Sequence, residues 1–295
     1  MKTRWVRFAV ALLVLLGIGL SISGAARAQS DEVPLAWSVP EGVTFETLAS
    51  GEGRTFRFHT DAMYLHRIGV GCGQVTGKLF GMEQITWVEY GQVDVRDWDS
   101  GEVIATLSAG DAFGPTEDET SFFLASPQGR NASVYHFSAG GAGEIGDELP
   151  DLTYETTDCG SGATNPMPAE PATVTTLFAS DRVGDTMPVG EATFYVGLLT
   201  VEPGAALGRN ERTTDEPAYT AWGSGLIVPL IGGFGGGQAG LAGAAGPEVG
   251  PDQVGWMYRE GPIALENLGP IPTTALLFGA VSSGGPIFMG HHTAD

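Results

Sequence analysis

The sequence predicts an all-β chain built of two related halves and preceded by a signal peptide. Three observations predict it. The 45 glycines and 18 prolines cut the chain into short runs, few of which have a helical period. Those runs are rich in β-branched and aromatic residues, as in Ala192 to Val201 and Ala132 to Phe137. The two halves also align on each other, strand run on strand run, at an offset of 132 residues.

Residues 1–28 stand apart from the rest. Lys2, Arg4 and Arg7 precede an apolar stretch from Phe8 to Leu20, and Ala26-Arg27-Ala28 supplies small residues for cleavage. The expected mature chain starts at Gln29. The apolar stretch is short for a membrane span, and no later segment approaches one. No cysteine follows it to carry a lipid. The expectation is a secreted or extracytoplasmic protein with no stable membrane anchor after cleavage.

Loss of that leader removes four basic residues and no acidic ones, leaving 10 basic against 35 acidic and a net charge of −25. Lys78 is then the only lysine. Such a surface repels nucleic acid and anionic membranes. The chain has two cysteines, Cys72 and Cys159. An even pair in an exported protein predicts a disulfide, worth about 4 kcal/mol in the chain-entropy model. Two separate buried thiols are the alternative.

Taken in order, residues 29–53 read as an irregular N-terminal arm, with Trp37 and Phe45 available to cover one end of the fold. Residues 54–141 form the first half, with a strand pair turning at Gly91 and closing strands at Ser121 and Ala132. Residues 142–172, rich in Gly, Pro, Asp, Glu, Thr and Ser, read as a linker rather than a strand set. Residues 173–290 form the second half and 291–295 a tail. The offset of 132 lays Gly91 on Gly223, Gln84 on Glu216, Phe80 on Arg212 and Lys78 on Asn210. Towards the ends an offset of 142 lays Ala132 to Phe137 on Thr274 to Gly279, and the Gly-rich loop at 232–250 is expected to absorb the difference.

The stretch from Gly204 to Gly223 carries the most informative spacing. Gly204 is followed by five residues, Asn210, one residue, Arg212, three residues, Glu216, six residues and Gly223. It resembles the first motif of the cupin superfamily, G-x5-H-x-H-x3,4-E-x6-G, with both histidines replaced. The resemblance implies two jelly-roll β-barrels in one chain, a bicupin-like arrangement. It also implies the place of a divalent ion that two histidines and the glutamate would hold, and a possible homodimer. Asparagine is a weak ligand and arginine none, so no metal or other cofactor is expected there. Arg212 either pairs with Glu216 inside the barrel in the ion's place or turns outward to water.

The second motif is degenerate as well. Thr120 stands where its histidine belongs in the first half, and the second half keeps only Asn267. The candidate ligand-binding set lies in the second half: Asn210, Arg212, Glu216, Trp222, Trp256 and Tyr258. The aromatic members are equally readable as core, as are Phe194 and Tyr195. A nonstandard metal centre from His59, His66 and His136, with Glu83 or Glu216, is the alternative to hydrogen-bonded strand histidines. His291 and His292 sit in the tail. Gly235 to Gly240 contains a G-x-G-x-x-G, but no helix pattern follows, and a loop is the better reading.

Two functions are consistent with these residues. The first is an exported, non-catalytic module that binds an unknown small molecule or protein partner or is purely structural. The second is a cupin enzyme of isomerase, dioxygenase or oxalate-degrading type, using an atypical divalent transition metal or a Glu216–Arg212 acid–base pair.

Overall fold

The computed structural model describes residues 40–52, 63–80, 84–114, 120–126, 130–139, 145–150, 153–155, 166–180, 191–207, 218–221, 224–235, 248–249, 253–257, 265–282 and 288–291. Every regular element among them is a strand. β1 (Val43–Glu52) is followed by β2 (Met63–Val70), β3 (Gln74–Val75) and β4 (Leu79–Phe80). Next come β5 (Gln84–Tyr90), β6 (Gln92–Asp97), β7 (Val103–Ser108) and β8 (Ala112–Phe113). β9 (Ser121–Ala125) and β10 (Ala132–Ala139) close the first half. Three short strands follow: β11 (Thr153–Glu155), β12 (Pro166–Pro168) and β13 (Glu170–Pro171). The chain continues through β14 (Thr173–Ser180), β15 (Ala192–Val201), β16 (Ala206–Leu207), β17 (Ala218–Ala221) and β18 (Ser224–Ile231). It ends with β19 (Phe234–Gly235), β20 (Glu248–Val249), β21 (Gly255–Met257), β22 (Leu265–Glu266), β23 (Thr273–Ser282) and β24 (Phe288–His291).

These strands form two barrels of two sheets each. The first has the order β14-β2-β10-β5-β8 opposite β13-β3-β9-β6-β7, with β4 on β9. The second has β1-β15-β23-β18-β21 opposite β16-β22-β19-β20. β11 and β12 form a separate ladder, as do β17 and β24.

The edge strands are exchanged. β1, which precedes the first half, pairs with β15 of the second barrel. β14, which opens the second half, pairs with β2 of the first. Both carry a register shift at the same point, between Thr47 and Ala49 and between Thr176 and Phe178. The bulged residues, Leu48 and Leu177, pack against the same apolar core. Three expectations are corrected here. Within the N-terminal arm, Val43–Glu52 form a ten-residue strand where an irregular segment is expected. The linker carries strands, and β13 joins the first barrel's second sheet through β3. Residue 173 does not open the second barrel's sheet. The physical reason is the same each time: an unpaired sheet edge takes the nearest extended segment, whatever half it comes from.

Strand alternation divides the core into three. One face of each five-stranded sheet looks across at the other barrel, and there Met63, Leu65, Ile85, Phe137, Phe194, Leu226, Leu276 and Phe278 share one cluster. Tyr135 and Phe137 meet Phe278 at 5.5 and 6.3 Å between ring centroids. The opposite faces close over separate interiors: Ile68, Val70, Val88, Phe122 and Val134 in the first barrel, and Tyr195, Leu199, Ile227, Phe234 and Leu277 in the second. Each fully buried Leu or Phe contributes roughly 1.5–3 kcal/mol, so the shared cluster outweighs any single ladder.

The structural repeat departs from the sequence alignment by one residue and in where it breaks. Gly73 and Gly204, both at positive φ after equivalent strands, are 131 apart, whereas Gly91 and Gly232 are 141 apart. The ten extra residues therefore lie between β16 and β18, not in the loop at 232–250. A one-residue slip moves every side chain to the opposite face, and the offset of 142 would put inward-facing residues outward. On the true register Gln84 corresponds to Gly225, not Glu216, and Gly91 to Gly232, not Gly223.

Because the halves exchange strands and share one core, neither is expected to fold alone. Residues 54–141 lack β14, and residues 63–180 expose Met63, Leu65, Ile85 and Phe137. We expect a cooperative thermal transition only from a chain containing 43–291. A cooperative transition from either fragment would contradict the shared-core assignment.

Candidate polar site in the first barrel

The inward face of the first barrel's larger sheet carries two polar cross-strand rows. In the first, Thr176 of β14, His66 of β2, His136 of β10 and Thr86 of β5 stand side by side. In the second, Ala179, Tyr64, Ser138 and Gln84 follow on the same four strands. The neighbouring row toward the other end is apolar: Val174, Ile68, Val134 and Val88. Period-two alternation forces this placement, since Leu65, Ile85 and Phe137 are committed to the inter-barrel core.

Hydrogen bonds fix the first row. His66 Nδ1 and Thr176 Oγ1 are 3.1 Å apart, and His136 Nδ1 and Thr86 Oγ1 are 2.9 Å apart. Thr86 donates its hydroxyl to Gln84 Oε1 at 2.9 Å. That carbonyl can only accept, so Nδ1–H of His136 donates to Thr86 and its Nε2 is left as an acceptor. Burial, and next the charge of His66, pushes the His136 pKa down to about 3. The imidazole is neutral at physiological pH. The rings of Tyr64, His66 and His136 lie near parallel, with centroids 6.3 Å apart at each step.

The second row is incompletely paired. Gln84 and Ser138 are both fully buried, yet Gln84 Nε2 and Ser138 Oγ have no hydrogen-bond partner. Each such group costs on the order of 1–3 kcal/mol. The Gln84 amide is held from behind by Gly114, at φ 87, where a Cβ would fall 2.3 Å from Nε2. An open cleft of about 600 Å³ reaches the rows from the barrel edge, walled by Tyr64, His66 and Thr176 on one side and by Thr76, Gly146 and Asp147 on the other.

The second barrel has no such rows. Thr47, Gly197, Leu277 and Ile227 replace Thr176, His66, His136 and Thr86. Ser50, Tyr195, Gly279 and Gly225 replace the other row. The Phe45 ring lies so close over Gly197 that a Cβ there would fall 2.2 Å from it. The space of a histidine is filled by a phenyl ring. Tyr195 is fully buried with its hydroxyl unpaired, and burial raises its pKa.

The other residues singled out from sequence fall as follows. Asn210, Arg212, Glu216, Trp222 and Tyr258 lie outside the described residues, as do His59, Glu83 and Cys159. Trp256 lies on β21, where its backbone pairs with Leu226 of β18. Phe194 belongs to the inter-barrel core and Tyr195 to the second barrel's interior. Cys72 is not a free thiol. Asn267 is fully buried and clamps its own loop, donating from Nδ2 to Val201 O and Ile271 O at 2.8 and 2.7 Å.

The first-barrel residues that the sequence alignment laid on the motif do not fit a metal ion. Lys78 Nζ rests over the Phe80 and Trp98 rings at 5.5 and 5.6 Å, and Gln84 presents a neutral amide. His66 and His136 face each other with both Nδ1 atoms engaged by threonine, and no group of three or more His, Cys, Asp or Glu gathers among the described residues.

No family model matches the sequence, and no curated protein does. Solved structures do. Oxalate decarboxylase from Bacillus subtilis is 12% identical, with a TM-score of 0.43 over 88% of this chain and 80% of that one. Vicilin from hazelnut, Corylus avellana, is 10% identical, with a TM-score of 0.40 over 85% and 77%. Salicylate 1,2-dioxygenase from Pseudaminobacter salicylatoxidans is 10% identical, with a TM-score of 0.38 over 75% and 72%. These are distant likenesses of fold and say nothing of chemistry. On its own strand pairing the chain is an all-β double barrel.

Two outcomes are expected at this site. The lowered His136 pKa means that the unfolded chain binds more protons between about pH 3 and pH 6.5. His136 thus contributes stability above pH 6.5 that falls as pH drops toward 3, at up to ~1.4 kcal/mol per pH unit. Urea denaturation of His136→Leu should show that part of the slope gone. Ser138→Ala should leave the melting temperature unchanged or raise it, because it removes an unpaired buried hydroxyl.

Proposed function

We propose that this is an exported binding protein: the first barrel holds a small molecule, and the second serves as structure. The observation that carries the reading is the asymmetry between the barrels. Equivalent positions hold His66, His136, Thr86 and Gln84 in one, and Gly197, Leu277, Ile227 and Gly225 in the other. Tyr64, His66 and Thr176, the outer members of the two rows, line an open cleft, and a polar array of this kind beside a cleft favours a ligand. On this reading the leader is removed after Ala28, a Cys72–Cys159 bond staples the connecting segment to the first barrel, and no cofactor is needed. The acidic surface supports a partner that is not nucleic acid.

The juxtaposition of His66 and His136 supports a second reading, an atypical metal enzyme, and one experiment separates the two. The sample is mature protein lacking His291 and His292, analysed for metals and for molecules released on denaturation. We expect metal far below stoichiometric and a small organic guest that His66→Leu protein lacks. Near-stoichiometric Mn, Fe, Ni, Cu or Zn, lost in His66→Leu, would establish the metal reading. Neither guest would leave the first barrel structural. Mass spectrometry of exported protein should also give Gln29 as first residue and a Cys72–Cys159 linked peptide. A retained leader or free thiols would overturn those two assignments.

A further inference from the structure

We infer that the guest of the first barrel is an organic cation with a flat apolar body, its ammonium set against Asp147 and its body against Tyr64 and His66. This rests on the reading of that barrel as a binding site. All three residues line the cleft. Asp147 is exposed there and makes no hydrogen bond or ion pair among the described residues. No Glu, Lys or Arg joins it among the described residues of the cleft wall. Lys78 adjoins that wall, its carbonyl accepting from Gly146 N at 3.2 Å, but its ammonium rests over the Phe80 and Trp98 rings. The cleft thus presents a carboxylate with no counter-charge of its own. A cation answers it and an anion is repelled, and the net charge of −21 raises the local concentration of cations in the same sense.

The wall that carries Asp147 is anchored on both sides of it. Ile145 packs against the first barrel's interior cluster, and Leu149 against Val75 and Phe123. The backbones of Gly77 and Gly146 approach so closely that no Cβ fits on Gly77. Across the cleft, the Tyr64 and His66 rings stack 6.3 Å apart and 12° from parallel, a flat surface for the body of a guest. Val174, Pro171 and Ala172 continue the apolar lining between the two walls. A bare ammonium would leave that lining wet, whereas an amine carrying a ring covers it.

The test is NMR of protein labelled with ¹⁵N-histidine, at about pH 8, above the ordinary histidine range. Phenethylamine, phenethyl alcohol and phenylacetate share one body and differ in the charge of the head. We expect saturable shifts of the His66 ring signals with phenethylamine at lower concentration than with either of the others. Asp147→Asn should weaken phenethylamine about fivefold, the most that an ion pair open to solvent supplies, and leave phenethyl alcohol unchanged. An unchanged His66 resonance in the free variant confirms the fold. Raised salt should weaken the amine alone. Tighter binding of the alcohol or of phenylacetate, or an amine indifferent to Asp147→Asn, would overturn the cationic class while leaving the cleft a binding site. Shifts with no probe would overturn both.

Discussion

The packing of two five-stranded sheets back to back is the constraint on which the rest of this molecule depends. Residues from both sheets form one buried cluster, with Phe137 between Phe194 and Phe278. Once Leu65, Ile85, Tyr135 and Phe137 are committed to that cluster, alternation leaves their neighbours no choice. His66, Gln84, Thr86, His136 and Ser138 must look into the first barrel. The site is the reverse side of the largest core.

Strand exchange ties the same two features together. β14 supplies Thr176, which holds His66, and it does so from a segment that precedes the second barrel. β1 supplies Phe45, whose ring fills the place over Gly197 in the second barrel. The same kind of edge strand thus completes a polar cleft in one barrel and closes the equivalent space in the other. The difference lies in a reciprocal change of size: Val174 beside a row with His66, Phe45 beside a row with Gly197.

Much of the architecture was legible in the sequence. The strand runs, the turn at Gly91 and the doubling of the chain follow from composition, periodicity and repeat, and the barrels from the motif resemblance. The exchanged strands also left a signal that went unread. Thr44 to Leu48 and Thr173 to Leu177 share a T-x-x-T-L pattern and take the same place in their sheets. The site was less legible. Motif spacing drew attention to Glu216, whereas the sheet register places Gly225 opposite Gly279 as the counterpart of Gln84 opposite Ser138.

What the sequence determined by itself was local: which segments extend, where the chain turns, and that two similar units follow one another. Alternating apolar residues and glycines at positive φ encode those features within a few residues. Tertiary structure alone decided which face of each strand turned inward, since that depends on what lies across the sheet. It decided, too, that His66 and His136, 70 residues apart in the chain, stand opposite each other, while the equivalent positions in the second half meet as glycine and leucine. Register is set by the pairing of distant strands, and a slip of one residue reverses every side chain.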